Sequence, residues 1–93
     1  MTATAERIAA MARKVIISYS PSQNCHFLIV DLRTPEDERY DLCYSSTNTP
    51  IENLFRDLKG ILPSESVSRR DCEQIIESWA ERARKWLGGV VVE

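Results

Sequence analysis

The chain has 93 residues, with 12 lysines and arginines against 14 aspartates and glutamates, a formal charge of −2 and a pI near 5.4. That length fills one core and not two, and the slightly acidic balance gives no global field that would draw in nucleic-acid phosphates. Apolar and charged fractions of 43% and 28% set aside the disordered and fibrous classes, and the longest apolar run, Phe27 to Val30, is far short of the roughly 20 residues a membrane helix needs.

Glu6, Arg7 and Arg13 interrupt the N-terminal apolar stretch, so no signal-peptide core is expected there. Thr4 to Arg13 reads as a short first helix capped by Thr4, with Ala5, Ile8, Ala9 and Ala12 along one side. From Val15 the period changes to two. Val15, Ile17 and Tyr19 share one strand face, and Ile16, Ser18 and Ser20 share the other. Pro21 to Asn24 is turn chemistry, and a second strand follows from Cys25 to Leu32. That strand is apolar on both faces, Cys25, Phe27 and Ile29 against Leu28, Val30 and Leu32, which predicts a central strand buried on both sides.

The connection Arg33 to Glu38 carries the densest charge run, Glu36, Asp37 and Glu38. A solvated turn accounts for it, and the functional alternative is an acidic rim that meets an arginine patch on a partner. Arg39 to Ser45 alternates again, with Tyr40, Leu42 and Tyr44 on one face. Thr49, Pro50 and Glu52 together signal a helix start, Ile51, Leu54, Phe55, Leu58 and Ile61 form its stripe, and Gly60 marks its end. Pro63 blocks continuation.

A long helix then spans Ser68 to Leu87. Cys72, Ile75, Ile76, Trp79, Ala80, Ala83, Trp86 and Leu87 trace one stripe, Ser68 and Asp71 form a capping box, and Gly88-Gly89 ends it. Val90 to Val92 suggests a short terminal strand, on the sheet edge or between subunits. The predicted architecture is α+β, a single domain over 1–93. A three-stranded antiparallel meander, with room for a fourth short C-terminal strand, is covered on one face by helices in the order α-β-β-β-α-α.

Chemistry is sparse. His26 stands beside Cys25, but neighbours on a strand point to opposite faces, so a thiolate–imidazolium pair is not expected. Cys25, His26, Cys43 and Cys72 are zinc-ligand types without the close-spaced pair of small zinc sites. Three cysteines make no disulfide framework and read as reduced thiols of a cytoplasmic protein. The glycines sit at helix ends and form no phosphate loop. No catalytic residue, metal or cofactor is expected.

Basic residues at Arg13-Lys14, Arg69-Arg70 and Arg82-Arg84-Lys85 are interrupted by Glu73, Glu77 and Glu81, as on an ordinary solvated helix face. By exclusion, the expectation is a small non-enzymatic protein-binding module: a regulator, adaptor or inhibitor. The candidate contact residues are Trp79, Trp86, Tyr40 and Tyr44, large side chains that a small domain has little room to bury, with Glu36, Asp37 and Glu38 at the rim. A homodimer through the long helix or the C-terminal strand is a second form of partner. Compact stand-alone acidic α+β proteins include bacterial and phage-encoded inhibitors of defence complexes, such as anti-CRISPR proteins, an analogy of class that no residue carries. The alternatives are a nucleic-acid-binding domain using the Arg and Lys groups on the helices, and a thiol- or metal-dependent enzyme built on Cys25, His26 and Cys43.

Overall fold

The structure is a computed structural model that describes residues 1–86, with side chains described through residue 84. Helix α1 (Ala3–Ala9) leads into three strands, β1 (Ala12–Ser20), β2 (Cys25–Arg33) and β3 (Arg39–Ser45), followed by α2 (Pro50–Ile61) and α3 (Arg69–Trp86). The strands form one antiparallel sheet in the order β1-β2-β3, so the fold is α+β with the expected element order. Gly88-Gly89 and the strand expected at Val90 to Val92 lie outside the described residues.

The helices pack on one face of the sheet. Val15, Leu28, Val30, Leu32, Leu42 and Tyr44 form one buried cluster with Ile8 of α1, Leu54 and Leu58 of α2, and Cys72, Ile75, Trp79 and Ala83 of α3. From Cys72 to Ala83 the α3 stripe is thus the one its spacing predicts, and the Trp86 and Leu87 side chains lie outside the described residues. Its start is the capping box: Asp71 N donates to Ser68 Oγ at 3.1 Å, and Ser68 N donates to Asp71 Oδ2 at 2.9 Å.

Local differences from expectation have physical causes. Helix α1 is capped by Thr2, whose hydroxyl accepts from Ala5 N at 3.0 Å, and it stops at Ala9. Strand β1 begins three residues earlier than its alternation suggests, because a bulge between Ala12 and Lys14 breaks the period. The bulge lets Ala12 and Val15 both face the core. Arg82 of α3 clamps it by donating to Ala12 O at 2.7 Å and Arg13 O at 3.2 Å. Thr49 does not cap α2 with its side chain. It adopts a left-handed backbone, φ 38°, and Glu52 turns to Arg69 and leaves the box unmade. Gly60 lies within α2, one residue before its end.

Tyr44 belongs to the core. It is 3% exposed, and its hydroxyl donates to Asp57 Oδ2 at 2.7 Å, tying β3 to α2. Burial first, then the Asp57 hydrogen bond, raises the phenol far above its ordinary pKa. Tyr44→Phe is expected to cost about 1 kcal/mol in urea melts with an unchanged m-value. A variant as stable as wild type would mean that this bond does not fix α2 on the sheet.

Candidate protein-binding face of the sheet

Paired residues of an antiparallel sheet share a face, so register defines the side that the helices leave open. Across β1, β2 and β3 it carries the rows Ser18–Phe27–Ser45, Ile16–Ile29–Cys43 and Lys14–Asp31–Asp41, with Arg33 and Arg39 paired beyond them. Ile29 is 39% exposed and Phe27 and Ile16 are half-buried, and none of the three belongs to the core cluster. The expectation that β2 is buried on both sides is therefore corrected. The strand is central, but every helix that meets the sheet lies on one side, so its second apolar face meets no helix among the described residues. That second face was the signal in the sequence for this surface.

The charged end of the open face mixes signs. Arg39 Nε stands 3.4 Å from Asp31 Oδ1, an oxygen that is buried and accepts no hydrogen bond. Arg33 donates from Nη1 to Asp37 Oδ1 at 2.9 Å, while its Nε is buried without an acceptor.

The acidic turn adjoins this end. Thr34 organises it: Thr34 N donates to Glu38 O, Asp37 N to Thr34 O, and Glu38 N to Thr34 Oγ1, at 2.9, 2.9 and 3.0 Å. Asp37 takes a left-handed backbone, φ 65°, and pairs with Arg33. Glu36, Asp37 and Glu38 are all exposed. An open depression of about 350 Å³ lies beside the turn, lined among others by Met11, Arg13, Arg33, Thr34 and Asp37.

The aromatic candidates fall elsewhere. Trp79 is 0% exposed, with its indole N–H donating to Ala9 O at 3.1 Å, so it is core and not a contact residue. Tyr44 is core as described above. Tyr40 is half-buried against the same cluster, and the Trp86 side chain lies outside the described residues. The core takes Trp79 and Tyr44 because α1, α2 and α3 enclose them together, a volume that counting large residues underestimates.

The thiols are dispersed. Cys72 is buried in the core, and burial followed by the nearby Asp71 and Glu52 carboxylates pushes its pKa up to about 11, so it stays protonated at neutral pH. Cys25 is buried beside Gln23 and Ser45 at the sheet end. His26 is turned to the Tyr19 ring, 4.9 Å between centroids. Cys43 is exposed on the open face. Among the described residues no three His, Cys, Asp or Glu side chains are grouped to hold a metal ion. Native protein at submicromolar concentration is expected to react rapidly with a thiol reagent at Cys43 alone, with Cys25 and Cys72 labelled only on unfolding, as peptide mapping would read. Fast native labelling of Cys72 would contradict its placement.

Several basic groups have partners. Arg69 pairs with Glu52 and stacks over Phe55 at 4.5 Å, Lys59 lies over the same ring at 4.3 Å, and Arg7 pairs with Glu65 at 2.6 Å. Among the described residues, no helix is long and apolar enough to cross a membrane. Comparison with known protein families, with curated proteins and with solved structures finds no match to this chain.

Proposed function

We propose that this protein is a small non-enzymatic protein-binding module, a regulator, adaptor or inhibitor, whose contact surface is the open face of the sheet. The observation that carries the reading is the apolar row Ile16–Ile29–Cys43 with Phe27 beside it, on a face that no helix covers among the described residues. Apolar side chains flanked by charge are the anatomy of a protein interface, with a desolvated centre and a polar rim. Glu36 and Glu38 in the adjoining turn fall at that rim. There they tune association rate and salt dependence more than residence time.

Capture from native lysate with tagged protein tests this, comparing wild type with Ile29→Asp and with Phe27→Ala. Circular dichroism confirms that each variant folds. A charge set into a desolvated centre is expected to weaken binding by tenfold or more, corresponding to about 1.4 kcal/mol. Recovery of the same proteins by wild type and both folded variants would move the contact surface elsewhere. Recovery of nucleic acid alone, released by salt, would replace this reading with nucleic-acid binding through the helices.

A further inference from the structure

We propose that the occupant of the open face is a second copy of this chain, related by a two-fold axis that runs parallel to β2. The inference rests on the reading of that face as a protein-binding surface and names its partner.

A two-fold interface uses the same patch on both subunits, so the patch must be complementary to itself. Turning a second copy by half a turn about an axis along β2 lays β2 on β2 and β1 on β3. Each row then meets its own reverse. Ser18 faces Ser45, Phe27 faces Phe27, Ile16 faces Cys43, Ile29 faces Ile29, and Lys14 faces Asp41, with the unlike pairs formed twice. Apolar meets apolar, hydroxyl meets hydroxyl, and cation meets anion.

Like charges meet in two places along the axis. Asp31 opposes Asp31, but it lies between the two Lys14–Asp41 pairs and beside Arg39 on its own sheet at 3.4 Å. Arg33 opposes Arg33 at the far end, where each guanidinium is already turned to its own Asp37 at 2.9 Å. Aligned sheets pack about 10 Å apart with strands within about 30° of each other, a gap that a lysine and an aspartate from opposing sheets span.

The same pattern disfavours a partner of single charge. Lys14, Arg33 and Arg39 stand among Asp31 and Asp41, and Arg33 and Arg39 already lie beside Asp37 and Asp31, so a polyanion or a uniformly acidic peptide meets repulsion as well as attraction. The size of the face also sets the strength of the dimer. Three strands about 4.8 Å apart and about seven residues long at about 3.3 Å each make a face of roughly 14 by 23 Å. In plan that is about 320 Å² per copy, below the roughly 800 Å² per partner of a standard interface, so the dimer is expected to be weak.

Sedimentation equilibrium of the full chain from about 1 to 500 μM tests the proposal, with circular dichroism on each variant. Wild type is expected to pass from monomer to dimer across that range, and Ile29→Asp to remain monomeric. Lys14→Glu and Asp41→Lys are expected each to weaken dimerisation by tenfold or more. An equimolar mixture of those two variants should restore wild-type affinity, because the substituted position 14 of one copy then meets the substituted position 41 of the other. This rescue needs only surface substitutions, so it decides the matter even if Ile29→Asp does not fold. Wild type that is monomeric throughout overturns the proposal, as does a dimer indifferent to all three changes or a mixture no tighter than its components. A monomeric wild type whose lysate capture still depends on Ile29 overturns the second copy alone and leaves the protein-binding reading standing.

Discussion

Trp79→Ala is expected to destabilise the domain by about 3–5 kcal/mol, the range for removing a fully buried large aromatic. A chain of this length has about 5–14 kcal/mol in total, so the variant should be close to unfolded at physiological temperature. Two contributions add up at this position. The indole fills the junction of α1, α3 and the sheet with no exposed surface. Its N–H also supplies a donor to the Ala9 carbonyl, one of the last-turn acceptors that α1 leaves without an intrahelical partner. Trp79→Phe separates the two. It keeps most of the ring contacts, leaves the carbonyl unpaired, and should cost about 1–3 kcal/mol. Urea melts of both variants check the pair. A Trp79→Ala protein within about 1 kcal/mol of wild type would remove the indole from the core.

The elements were legible in the sequence where a local period ran undisturbed. The α3 stripe from Cys72 to Ala83 and the alternation of β3 are short-range patterns, and burial follows them directly. Reading failed where a distant partner decides the local conformation. The bulge at Ala12 to Lys14 is held by Arg82, about seventy residues away in sequence, and no local pattern announces it. Glu52 has the position of a capping-box residue, but an arginine on α3 takes its carboxylate. The candidate site was legible only in part. Both faces of β2 were seen to be apolar, but which of them the helices cover depends on how the whole domain closes. Trp79 and Tyr44 look like surplus in the sequence for a related reason: their polar atoms find Ala9 O and Asp57 inside the fold, which removes the cost of burying them.

Asp71 should show the second large effect, and its effect should depend on pH. Thr2 donates its hydroxyl to Asp71 Oδ1 at 2.5 Å, and Ser68 N donates to Oδ2 at 2.9 Å, so one carboxylate, 6% exposed, joins the starts of α1 and α3. The Thr2 hydrogen bond first, then those from Ser68, hold its pKa below the ordinary aspartate value. A depressed carboxylate contributes stability that is fully present above the unfolded-state pKa, about 3.9, and is lost as pH falls through the lower folded-state value. Asp71→Ala removes two charge-assisted bonds and is expected to cost about 2 kcal/mol at neutral pH. Asp71→Asn keeps one acceptor and should cost less. The gap between wild type and Asp71→Ala should stay constant down to about pH 4 and close below it. Thr2→Ala should then cost less in the Asp71→Ala background than in wild type, because the bond to Asp71 is already gone and only the cap of Ala5 N remains to be lost. Urea melts across that pH range check both statements. A gap that persists unchanged into strong acid would mean that the carboxylate charge contributes nothing, and that Asp71 acts there by packing alone.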